Sequence, residues 1–178
     1  MTKTVYIEFT RPSKHSFPIL SWIIRKVQGT PYSHVRLRWI NSAGVEIVYE
    51  ASGNEVKFVG TIAQKTKSVH VVKSYRIELD TKQYINLIGL CMRYAGVRYG
   101  LMQLIGIGLV NMLGLSKNPY ADGGKSQICS ELVGIFLRDV MGLDLEIDLD
   151  IAGPKEIEEE LLRFAADSQI HLVPPTRS

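Results

Sequence analysis

The stretch from Ser33 to Ala51 limits the fold more than any other part of the chain. Val35, Leu37 and Trp39 alternate with His34, Arg36 and Arg38. After Asn41-Ser42-Ala43-Gly44, Val45, Ile47 and Tyr49 alternate with Glu46, Val48 and Glu50. Period-two alternation on both sides of a turn-forming tetrapeptide predicts a hairpin of two half-buried antiparallel strands. The apolar sets must share a face, so the numbers of paired residues add to an even number. A three-residue loop with Gly44 in the left-handed conformation pairs Asn41 with Val45 and sets Arg36 opposite Glu50, with His34 diagonal to it on the same face. A five-residue loop from Ile40 to Gly44 sets His34 directly opposite Glu50. Direct partners have Cβ atoms about 5 Å apart and diagonal ones about 7 Å, so either register lets a carboxylate orient the imidazole. The first register also allows an Arg36–Glu50 ion pair.

Strands are further predicted at 4–9, 56–59, 68–72 and 75–79, with a last edge strand at 169–173. Helices are predicted over about 19–27 (apolar side Leu20, Ile23, Ile24 and Val27) and from a Thr81 cap to about Tyr94 (Ile85, Ile88 and Met92 on one side, Cys91 in the core). Another runs from 153–154 to about Ala166, with Pro154 at the first helical position. Leu101 to Leu115 is strongly apolar but too short for a membrane span. A buried helix is the expectation there, with a lid or a membrane-facing helix as alternatives. Residues 116–125 read as a polar loop. Asp144, Glu146, Asp148 and Asp150 alternate with Leu145, Ile147, Leu149 and Ile151, predicting an acidic strand or extended loop. The glycine and terminal glutamate of a calcium-binding EF-hand are missing from their positions.

With 178 residues, 46% of them hydrophobic, the chain is long enough to bury one sizeable core, and residues 1–178 read as a single domain. Its two cysteines are too few for a disulfide framework. With no secretory signal at the start, both are expected as reduced thiols in a cytoplasmic protein, any outside target being reached by lysis or injection. Net charge is +3, but the first 80 residues carry 12 Lys/Arg against 6 Asp/Glu and the remainder 9 against 12. No basic cluster interleaves with aromatics, so no nucleic-acid partner is expected. No His/Cys spacing fits a metal, and neither a metal nor another cofactor is expected.

A second informative stretch is Ser126-Gln127-Ile128-Cys129-Ser130-Glu131-Leu132-Val133. Ile128, Leu132, Val133, Phe136, Leu137, Val140 and Met141 keep helical spacing. Ser126 as N-cap places Cys129 in the first turn and Gly142 just past the end. A thiol there faces the positive end of the helix dipole, which favours the thiolate. Taken alone, Cys129 reads as an ordinary buried cysteine. A hydrolytic cysteine needs a base and a group that fixes the base, and His34 with Glu50 supplies both. His15, His70 and His171 are rival bases, none with a carboxylate as well placed.

The runs YSHVRLRW, EIVYEA and ICSELVGIFL together resemble the circularly permuted, YiiX-like branch of the NlpC-type papain-like cysteine hydrolases. The matching positions are Ser33, His34 and Val35; Glu50 and Ala51; Tyr99 in GVRYG; and Cys129 to Leu132. ILSWIIRKVQGTPYSH resembles the helix before the family's histidine strand, and GPKEIEEEL the Pro-led segment after its cysteine helix. The likeness spans most of residues 5–162. It implies an α+β, papain-like fold, an antiparallel sheet packed against the helix that bears the cysteine. It also implies Cys129 as nucleophile, His34 as base and then acid, and Glu50 as the group orienting His34. The Cys129 backbone N–H would stabilise the oxyanion, with Tyr32 and Tyr99 as further oxyanion or substrate contacts. The implied activity is that of a thiol protease or amidase, cleaving a peptide or a peptidoglycan fragment. Lipid-acting relatives add an amidase, thioesterase or acyltransferase acting on an acyl lipid, with membrane contact through 101–115. A non-catalytic binding module is the competing class, and thiol reactivity separates the two.

Overall fold

Runs rich in β-branched and aromatic residues pair into one sheet in the computed structural model, which describes residues 2–12, 18–60, 69–165 and 170–174. Its strands are β1 (Lys3–Pro12), β2 (His34–Ile40), β3 (Glu46–Ser52), β4 (Glu55–Gly60), β5 (Val69–Leu79), β6 (Arg98–Tyr99), β7 (Ser126–Gln127) and β8 (Ile170–Val173). They lie in the order β7-β6-β4-β3-β2-β1-β5-β8, antiparallel except for the β6–β7 pair. The described helices are α1 (Pro18–Gln28), α2 (Thr81–Tyr94), α3 (Leu101–Leu113), α4 (Cys129–Ile135) and α5 (Pro154–Ala165). A π-helical turn, Phe136–Val140, continues α4. The fold is α+β.

The hairpin takes the first of the two registers, with Leu37 opposite Tyr49 and Trp39 opposite Ile47. Asn41 N–H donates to Val45 O at 2.9 Å, closing the three-residue loop. The Asn41 side-chain oxygen accepts from the Ala43 and Val45 N–H groups. Gly44 completes the turn at φ +74°, a conformation that costs an L side chain about 1–2 kcal/mol. The five-residue loop is not formed.

The core follows from the alternation. Val5, Ile7, Phe9, Val35, Leu37, Trp39, Tyr49 and Ala51 pack with Leu132, Val133, Phe136 and Leu137 of α4 and its continuation, Leu87 and Cys91 of α2, and Ile157 and Leu161 of α5. Each fully buried Leu, Ile, Val or Phe gains roughly 1.5–3 kcal/mol over leaving it exposed. The central hairpin and the cysteine helix therefore share one apolar interior.

Several expectations are corrected. The strands expected at 68–72 and 75–79 are one, because Lys73 and Ser74 keep pairing with β1 through a register shift at Phe9/Thr10. Asp80, not Thr81, caps α2: its side chain accepts from Gln83 N–H, and the Gln83 side chain accepts from Asp80 N–H. Ile85 and Met92 of α2 point outward at 63% and 74% exposure, whereas Leu87, Leu90 and Cys91 are buried. Both stripes have helical spacing, and packing against the core chose the second. Residues 144–151 form a loop without strand pairing that turns at 149–151, where the Ile151 and Ala152 N–H groups donate to Asp148 O, with Leu145, Ile147 and Leu149 packed against the core. The predicted Pro154 start of α5 and the edge position of β8 are found. His15, Ser68, Ala166 and Gln169 lie outside the described residues.

Candidate active site

His34 opens β2, where the strand leaves the loop that follows α1, and its ring is one-fifth exposed. Glu50 lies diagonal to it on β3, as the register requires. His34 Nε2 stands 3.1 Å from Glu50 Oε2. The other carboxylate oxygen, Oε1, accepts from the Ser52 hydroxyl at 2.7 Å. Both oxygens of Glu50 are thus engaged, which fixes the imidazole plane and leaves Nδ1 for another partner.

Cys129 is the next group the imidazole meets, close enough that each acts on the other's charge. The start of α4 differs from the sequence expectation and explains how. Ser126 is not its N-cap: Ser126 and Gln127 pair in parallel with Arg98 and Tyr99, and the Ser126 hydroxyl donates to Asp122 at 2.6 Å. Ile128 stays extended, and helical geometry begins at Cys129 itself. Glu131, at the third helical position, reaches back to the Ile128 N–H and accepts from Gln127 Nε2 at 3.3 Å. Cys129 therefore sits at the first helical position, where its own N–H has no intrahelical acceptor and the dipole is most positive.

The charges follow from these contacts. Burial alone pushes the Cys129 thiol up. The His34 charge and hydrogen bond, with the Val35 and Ser130 N–H groups, outweigh it and hold the thiol below its ordinary value. Burial disfavours His34's charge, but the facing Cys129 thiolate, then Glu50, carry its pKa up to about 10. Burial likewise opposes the Glu50 charge, yet His34, the Ser52 hydroxyl and Arg36 bring its pKa down to about 2. The shifts run the same way in all three groups, toward thiolate, imidazolium and carboxylate. Cys91 is the contrast: buried in α2, it is pushed up to about 12.

The competing Arg36–Glu50 ion pair is displaced by Glu8 of β1. Glu8 accepts from Arg36 Nε at 2.9 Å and from Arg38 Nε at 2.5 Å, itself only 1% exposed. Arg36 reaches Glu50 only through its field, which leaves that carboxylate to His34. Glu8 and Ser52 were not singled out from the sequence. The signal for Glu8 lay in the alternation of β1, which sets it on the polar face opposite Arg36.

Tyr99 of β6 stands by the pair. Burial, then the negative charges of Cys129 and Glu50, push its phenol far above the ordinary value, so it stays a protonated donor. Tyr32 is placed differently from the oxyanion contact expected of it. Its single hydroxyl proton is donated to Glu158 at 2.5 Å, a carboxylate also held by Tyr75 and Lys73. Tyr32 thus ties β2's entry to α5. The rival bases His70 and His171 lie exposed on β5 and β8, beyond β1 from the Glu50 strand. Among the described residues, no three His, Cys, Asp or Glu side chains converge to hold a metal ion. Compared with protein-family models and with curated proteins, the chain finds no match.

Proposed function

We propose that the protein is a cysteine hydrolase that cleaves an amide bond, with the papain-like arrangement in permuted order, His34 and Glu50 preceding Cys129. One observation supports the reading: His34 is 3.1 Å from Glu50 and close to Cys129, so that three separate chain segments meet at one histidine. The Cys129 thiolate attacks the amide carbonyl carbon, and the resulting oxyanion faces the Cys129 N–H at the positive end of α4. His34 gives its proton to the leaving amine as the C–N bond breaks, leaving a thioester on Cys129. Neutral His34 then takes a proton from water, whose oxygen attacks the thioester. The acid departs, and the thiolate–imidazolium pair is restored. A peptide, including a cell-wall peptide, is the leading substrate class. A lipid-linked amide or thioester is the second reading, favoured by the apolar groove between α1 and α3.

The test is intact-mass analysis after quenching the protein with peptide amides and with acyl lipids. An acyl adduct on Cys129 is expected, absent in Cys129→Ala and forming on the order of a hundredfold more slowly in His34→Ala. No adduct and no turnover with either substrate class would sink the enzymatic reading in favour of a binding module.

A further inference from the structure

Helix α3 buries Gln103, Leu104, Gly106, Ile107 and Val110. The opposite stripe carries Leu101, Met102, Ile105, Met112 and Leu113, between 42% and 69% exposed, with no charged residue anywhere in the helix. A surface helix in water normally turns polar residues outward. α3 does not, so its outer face calls for a cover. The neighbouring α1 extends the same surface with Ile19, Trp22 and Ile23, all exposed. Between the two helices runs a groove of about 240 Å³ walled by Ile23, Ile24, Val27, Leu104, Ile105 and Met112 among others.

Charge decides between covers. The chain has no acidic residue between Glu8 and Glu46, nor between Asp80 and Asp122. Lys26 sits exposed among the outward residues of α1, and Lys117 lies exposed just past α3. A second copy would set like charges against each other. An anionic lipid surface would pair with both and accept the apolar stripe, while the lysine stems span the boundary. Trp22 at 53% and Tyr120 at 42% exposure are residue types that favour the headgroup level. No described helix is long and apolar enough to cross a membrane, so α3 would lie in the surface plane.

We propose that the α1–α3 face docks on an anionic membrane surface, with the groove taking part of a lipid acyl chain. The same helices frame the candidate site. Ser21 of α1 is hydrogen-bonded to Ser33, the residue before His34, at 2.6 Å. Leu104 and Ile107 of α3 pack on Ile128, the residue before Cys129. Docking would thus hold the cysteine–histidine pair beside the headgroups. The inference concerns where the protein works and stands apart from which bond Cys129 breaks.

Vesicle flotation tests it, with mixed phosphatidylcholine–phosphatidylglycerol vesicles against pure phosphatidylcholine, using the full chain and its Cys129→Ala form. Both forms should float with the mixed vesicles, and less so as salt rises. Met112→Glu/Leu113→Glu should lose about tenfold or more of that binding, the positions being too exposed to disturb folding. Lys26→Glu should weaken binding to mixed vesicles only. Emission should shift to the blue on binding, from Trp22, since Trp39 is already buried. Equal recovery of wild type and the double variant overturns the proposal. So does a dimer by light scattering that the double variant abolishes, which would make a second copy the occupant.

Discussion

Glu50 accepts from His34 at one oxygen and from Ser52 at the other, so its charge is what Glu50→Gln removes while the shape is kept. Without that charge His34 holds its proton less firmly. The alkaline limb of the rate, which reports loss of the His34 proton, should move down from about pH 10, and the rate should fall on the order of a hundredfold. Kinetics against pH in the two proteins checks this; an unmoved limb would mean that Glu50 does not act on His34. Stability gives a second readout. Folding takes Glu50 from an ordinary 4.5 to about 2, so its contribution is complete above pH 4.5 and is lost as pH falls toward 2. Thermal melts in acid should show wild type losing stability over that window more steeply than Glu50→Gln.

Between elements, Glu8 holds β1 to β2 by neutralising two buried arginines at once. Glu8→Ala leaves Arg36 without a carboxylate partner and Arg38 with Glu46 alone, and a loss of about 3–5 kcal/mol is expected in denaturant melts. It also frees Arg36 toward Glu50, so the surviving folded protein should react more slowly at Cys129. At the start of α4, burial and then the nearby Asp150 raise Glu131 to about 7. Its charged form is disfavoured in the fold, so this group destabilises progressively as pH rises from 4.5 through 7. Glu131→Gln should therefore gain in melting temperature relative to wild type between pH 5 and pH 8; a constant difference would contradict the assignment. Periodicity marks α4 in the sequence, where Ser126 reads as the cap, whereas helical geometry begins at Cys129. Nothing local announces that Ser126 and Gln127 pair with β6, a contact made across a long stretch of chain.

Across the molecule, legibility tracks sequence distance. The nearness of His34 and Glu50 was readable because a short hairpin admits few registers and alternation excludes the odd ones. The presence of Cys129 beside them was not, since the chain passes through β4, β5, α2 and α3 before returning. A resemblance, not a derivation, pointed there. The outward face of α3 was hidden for the opposite reason: an apolar run with few polar residues reads as buried, and only the packed fold shows which half stays uncovered. All these features meet at one claim, that Cys129 is a thiolate held by His34. The measurement that tests it most directly is the rate of iodoacetamide alkylation at Cys129 and Cys91 against pH, in wild type and His34→Ala. The account predicts that Cys129 reacts at pH values well below the ~8.5 of free cysteine, that Cys91 stays inert, and that His34→Ala moves Cys129 upward. A Cys129 that reacts no faster than Cys91 and ignores His34 would contradict it.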